Sequence, residues 1–169
     1  MNRAVVPLTV LTLLVVAIQL QLLSTLRAGG AVIMLVWLWP FVVGMTGARG
    51  LALWVAALSG LLFDTHSTTP FGLTILVALA LAWFAARLGR EGVGDLDSAA
   101  WWVPPALAGV AGAFAPAAFV ILGTVARDPG MWHDDVLATM AANAIAFAVI
   151  ARPLGRLARR VTLGPRGRS

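Results

Sequence analysis

Six long apolar runs, separated by short polar breaks, make up most of the chain. The first, residues 4–26, exceeds 20 residues, enough for a helix to cross a hydrocarbon core of roughly 30 Å. It follows Met1-Asn2-Arg3 as a signal peptide would. Its length and the lack of a convincing small-x-small cleavage site predict a retained spanning helix instead. The second run, residues 30–47, carries Trp37 and Trp39, with a kink predicted at Pro40. The third, residues 50–63, covers only about 21 Å as a helix. It must borrow residues 64–67, lie shielded among its neighbours, or stop short inside the bundle. The fourth covers residues 70–87, and a polar loop over 88–98 follows, with Gly89, Gly92 and Gly94 among charged residues. The fifth, residues 101–126, is longer than a crossing needs; Pro104, Pro105 and Pro116 predict a bent or tilted helix. Arg127-Asp128-Pro129-Gly130 is a turn signal. The sixth covers residues 132–151, and Arg152-Pro153 predicts a bend or stop. The pattern gives an all-α integral membrane fold: a six-transmembrane-helix bundle over 1–152 and a basic cytoplasmic tail over 153–169.

The break between the third and fourth runs is the most concentrated polar knot. Gly60 precedes Asp64; His66, Ser67, Thr68 and Thr69 follow; Pro70-Phe71-Gly72 reopens the apolar pattern. A helix starting at Pro70 takes Thr69 as N-cap and proline at N1, where its missing N–H costs nothing. Asp64 is placed to turn back onto the free N–H groups and positive dipole end of that helix.

Composition strengthens the membrane reading. Of 169 residues, 60% are hydrophobic and 11% charged, where a soluble domain carries roughly 25% charged. The mean hydropathy is +0.92. There are no cysteines, which removes disulfides, thiol nucleophiles and Cys-based metal sites. The net charge of +5 comes with arginine as the only basic type besides two histidines, and in so apolar a chain it speaks of orientation and lipid contact, not of nucleic acid. Six crossings place Arg3, Arg49, Arg87, Arg90, Arg152 and the five arginines beyond on one side; only Arg27 and Arg127 fall on the other. Five crossings scatter them. The positive-inside rule then predicts cytoplasmic termini and an outward-facing Asp64 turn.

At this turn the chain resembles a family. Gly60, Asp64, Ser67, Pro70 and Gly72 match, residue by residue, the G-hydrophobic-hydrophobic-x-D-x-x-S-x-x-P-x-G signature of the rod shape-determining protein MreD. Length, number of runs, arginine-rich end and position of the signature agree. The resemblance implies a non-enzymatic adaptor of the bacterial cell-elongation machinery in the cytoplasmic (inner) membrane. It would partner the bitopic protein MreC and act with it on RodA and its class B penicillin-binding transpeptidase, alongside MreB. It also implies a fold similar to the S components of energy-coupling-factor vitamin transporters. A small-molecule-binding S component, with an enclosed polar pocket near the outer face, is therefore the competing function.

The remaining polar residues admit bland and sharp readings. Asp64 with His66, and His133 with Asp134 and Asp135, have the residue types for a metal or acid–base site. A membrane hydrolase would need Asp64 within hydrogen-bond reach of His66, His133 or Asp135. Capping is favoured, since acids suit helix starts, so no catalytic, cofactor or metal residue is assigned. Asn143 in the sixth run and Gln19 and Gln21 in the first are amides in an apolar setting, expected to bond a neighbouring helix or backbone. Small residues recur every four positions at Ala78, Ala82 and Ala86, at Ala108, Gly112 and Pro116, and at Ala138, Ala142 and Ala146, giving stripes for close packing. The basic tail is expected to lie on anionic headgroups.

Overall fold

The computed structural model describes residues 2–23, 31–67, 70–91, 100–125 and 136–163. Among them the structure is all-helical, with six α-helices in chain order. Helix α1 (Asn2–Ile18) ends in a π-helical turn, Gln19–Leu23. Then come α2 (Leu35–Met45), α3 (Arg49–Asp64), α4 (Leu73–Arg90), α5 (Val103–Val125) and α6 (Val136–Leu163). Four of these, α1 with its extension, α4, α5 and α6, are long and apolar enough to cross a membrane.

The second run departs most from its pattern. Residues 32–34 are not helical, and α2 keeps only 11 residues, about 16 Å. Ten of them are buried, Trp37, Trp39 and Phe41 among them, and Pro40 lies inside the helix. This short helix is the centre of the bundle: it packs on α3 and α4 and touches α1, α5 and α6. Trp39 Nε1 donates to Thr12 Oγ1 (3.0 Å), which in turn donates to the Leu8 carbonyl. Trp37 stacks obliquely on Phe119, with ring centroids 5.3 Å apart.

Glycines let the helices close up. A Cβ on Gly44 would lie 2.8 Å from the Ala82 carbonyl oxygen, so α2 and α4 cross backbone to backbone. Gly89 is helical, in the last turn of α4 instead of the predicted loop, and a Cβ there would meet the Met45 carbonyl oxygen at 2.6 Å. A Cβ on Gly112 of α5 would come within 2.5 Å of the Asn143 carbonyl oxygen, which seats α6 on α5, the most extensive helix pair.

Two predicted stripes, Ala78/Ala82/Ala86 and Ala108/Gly112/Pro116, are buried. The third is not. Ala138 is exposed, and the buried line of α6 runs one residue on, through Asn143, Phe147, Ala151 and Ala158. Phe147 and the Asn143 backbone fill the notch at Gly112, and that fit sets the helix rotation. Nor does α6 stop at Arg152-Pro153. The proline forfeits one intrahelical bond, yet the buried line continues through Ala151, Gly155 and Ala158, so packing carries the helix on.

Arginines collect at one end. Gly89 lies against Met45 and Gly47, which brings Arg90 beside the α2–α3 junction and Arg49. Arg152 donates to the Trp101 carbonyl and stacks over its ring at 5.6 Å. The Asp64 turn is at the other end of α3 and α4.

Candidate functional site

Asp64 is the last residue of α3, where the negative end of that helix's own dipole disfavours a carboxylate. It is nevertheless 3% exposed, because its side chain serves the next helix. The Gly72 N–H donates to Asp64 Oδ2 at 2.8 Å and the Ile75 N–H to the same oxygen at 3.4 Å. Gly72 and Ile75 are the N-cap and third helical positions of α4. One carboxylate from outside the helix thus fills both places that a capping box fills from within. It also meets the positive end of the α4 dipole.

The predicted start at Pro70 moves as a consequence. Helix α4 begins at Leu73, and its N-cap is Gly72, at φ +93° and ψ −10°. Pro70 accepts the Leu73 N–H at 3.2 Å, closing a four-residue turn that puts Gly72 in the left-handed region. Proline therefore serves the turn, not N1; capture of the Gly72 N–H by Asp64 delays the helix to residue 73. Thr69, the expected N-cap, lies outside the described residues, as does Thr68. Ser67 Oγ donates a long 3.5 Å bond to the Asp64 carbonyl.

Gly60 completes the set one turn below Asp64. A Cβ there would sit 2.6 Å from Ile75 Cα, so only glycine lets α3 approach α4 closely enough for the carboxylate to reach Gly72 and Ile75. All five residues of the signature, Gly60, Asp64, Ser67, Pro70 and Gly72, thus belong to one α3–α4 hairpin. Asp64 Oδ1 and Thr74 Oγ1 are buried without a partner among the described residues.

Asp64 and His66 do not act together. His66 is exposed, and its Nδ1 sits 2.9 Å from the Leu62 carbonyl oxygen and 3.1 Å from Thr65 Oγ1. His133, Asp134 and Asp135 lie outside the described residues, and within those residues no group of three or more His, Cys, Asp or Glu side chains is placed to hold a metal.

Gln19 and Asn143 converge on a second feature, the non-helical stretch before α2. Asn143, fully buried, accepts the Met34 N–H at 2.8 Å and donates to the Val32 carbonyl at 2.7 Å and to Thr139 of its own helix at 2.8 Å. Gln19, 2% exposed, donates to the Ile33 carbonyl at 3.0 Å and to Met34 Sδ at 3.7 Å, and accepts the Leu35 N–H at 2.6 Å. Four consecutive residues, 32–35, each have one backbone group bound by one of two amides. Irregular backbone inside an apolar bundle must be satisfied by protein, and here it is. The bonds run to the backbone of this segment, where the sequence left neighbouring helix and backbone equally open. Gln21 is exposed.

A third feature is not legible in the apolar pattern. The outer faces of α4 and α5 leave an apolar groove of about 580 Å³ between them. At the arginine end a recess of about 260 Å³ is lined by Arg49, Arg87, Arg90, Glu91 and Trp83, and Trp83 lines the groove as well. The available signal was the spacing Leu76, Ala80, Trp83, Arg87, one helical face that turns from apolar to cationic.

No family model, curated protein or solved structure matches this chain.

Proposed function

We propose that this chain is a six-span membrane adaptor of the MreD kind, a non-enzymatic part of the bacterial rod complex in the inner membrane with both termini cytoplasmic. It holds an MreC-like bitopic protein by helix–helix contact. Through it the adaptor biases RodA and its class B penicillin-binding transpeptidase between conformations, and so regulates peptidoglycan synthesis and cell shape. Such a bias requires contacts that differ between the two states.

The observation that carries this reading is the turn itself. The five residues that resemble the family signature each have a physical task in one hairpin: close approach at Gly60, capping by Asp64, chain reversal through Ser67, Pro70 and Gly72. Six crossings are compatible with the helix lengths. The non-helical residues 31–34 lengthen the second segment beyond the roughly 16 Å of α2, toward the hydrocarbon thickness. Helix α3, at about 24 Å, reaches further through residues 65–67. The gathering of arginines at one end supports cytoplasmic termini. Val6, Val10 and Leu13 give α1 an exposed apolar line against which a single-span partner can lie.

Co-expression with the MreC-like protein of the same cell tests the proposal. The partner is expected to co-purify in mild detergent, and its absence after gentle extraction refutes the adaptor reading. Saturable binding of a vitamin-like ligand would point to the S-component reading instead. Because the chain has no cysteine, a His66→Cys variant reports sidedness cleanly. An impermeant thiol reagent added outside should label it, and labelling only from the cytosol rejects the orientation.

A further inference from the structure

We infer that the α4–α5 groove and the arginine recess below it form one seat for an anionic phospholipid, with the phosphate among Arg49, Arg87 and Arg90 and an acyl chain in the groove. The two cavities share Trp83. From Arg87 back to Leu76 is 11 residues, or roughly 16 Å of helix, which is the depth of a single leaflet in a core of about 30 Å. The groove wall is apolar along that length, with Leu76, Ala80 and Phe84 on α4 facing Leu107, Val110 and Phe114 on α5.

Charge decides which lipid. Three arginines line the recess against one carboxylate, Glu91, leaving an excess of two positive charges. Arg87 Nε donates to Glu91 Oε1 at 2.9 Å, and the Arg87 guanidinium lies 5.9 Å from the Trp83 ring centroid. Arg90 Nε donates to the Ala86 carbonyl at 3.3 Å. Both heads are thereby held at the lip of the groove by contacts at one nitrogen, and guanidinium groups bind phosphate through several N–H donors at once. Basic pockets between membrane helices on the arginine-rich side suit anionic headgroups. A zwitterionic lipid brings the same phosphate but answers neither surplus charge. This seat is independent of the adaptor proposal and requires only that the helices stand in a bilayer.

Native mass spectrometry of the full chain, loaded with dioleoyl phosphatidylglycerol or dioleoyl phosphatidylcholine, is the test. Phosphatidylglycerol should be retained preferentially, by about fivefold for each uncompensated arginine. Combined Arg49→Gln, Arg87→Gln and Arg90→Gln substitution should abolish the preference, whereas Arg156→Gln on α6 should leave it intact. Ala80→Trp, at an exposed groove position, should reduce retention of both lipids with the arginines untouched. Millimolar inorganic phosphate should not displace the lipid. Equal retention of the two lipids, an unchanged preference in the triple variant, or displacement by free phosphate each overturns the proposal. If the triple variant elutes as aggregate, Arg49→Gln alone decides, with the same fivefold loss expected.

Discussion

Two helices of this protein begin in different ways. Helix α4 is started by Asp64, a neighbour only 8 and 11 residues from the N–H groups it accepts. Helix α2 is started by Gln19 and Asn143, the second of them 109 residues from the N–H it accepts. Both solve the same problem: the first N–H groups of a helix have no intrahelical acceptor. At the α4 start a charge answers the dipole and the turn is built from adjacent residues. At the α2 start neutral amides do the work, and they also bind carbonyls of the segment before the helix. A local cap orders one hairpin, whereas a remote cap ties three parts of the chain together.

That contrast predicts unequal costs. Asn143→Leu should be the most damaging, since it strands the Met34 N–H and the Val32 carbonyl together. Ordinary interhelical hydrogen bonds in membranes are worth about 0.6 kcal/mol, but each stranded buried backbone group costs about 1–3 kcal/mol. The sum, about 2–6 kcal/mol, should lower the thermal midpoint in detergent and raise hydrogen exchange at residue 34, whose N–H Asn143 accepts. Unchanged exchange there would break the comparison.

Asp64→Ala comes next, at about 2 kcal/mol, the upper end of the cost of losing a helix cap. Faster exchange should be confined to Gly72 and Ile75. Asp64→Asn keeps an acceptor and should recover about half of the loss; full recovery would mean that the charge contributes nothing. Gly72→Ala is the mildest. Its Cβ would meet nothing within 4 Å, so only the left-handed backbone is penalised, at about 1 kcal/mol. A drop as large as that of Asp64→Ala would show that the turn, and not the carboxylate, starts the helix.

The local device was legible and the remote one was not. Asp64 turning back onto the next helix follows from its place beside Pro70 and Gly72, because capping acts over one or two turns of chain. The start of α4 was misplaced by three residues for an equally local reason: the captured Gly72 N–H outcompetes proline at N1. By contrast, residues 30–47 read as continuous helix because hydropathy registers side chains, not whether backbone groups find partners across the bundle. The rotation of α6 was off by one position, since Ala138, Ala142 and Ala146 and the line through Asn143 and Phe147 satisfy the same spacing until Gly112 selects between them.

The sequence by itself determined an all-helical chain suited to a bilayer, the sorting of arginine toward one end, and a capped hairpin at Asp64. Each depends on composition or on residues within a few positions of one another. Tertiary structure alone decided that the second helix starts late, that Gln19 and Asn143 share its first backbone groups, and that Trp83 joins a groove to a cationic recess. Those outcomes depend on which distant faces meet, and hydrophobic periodicity says that a face is apolar without saying what it will touch.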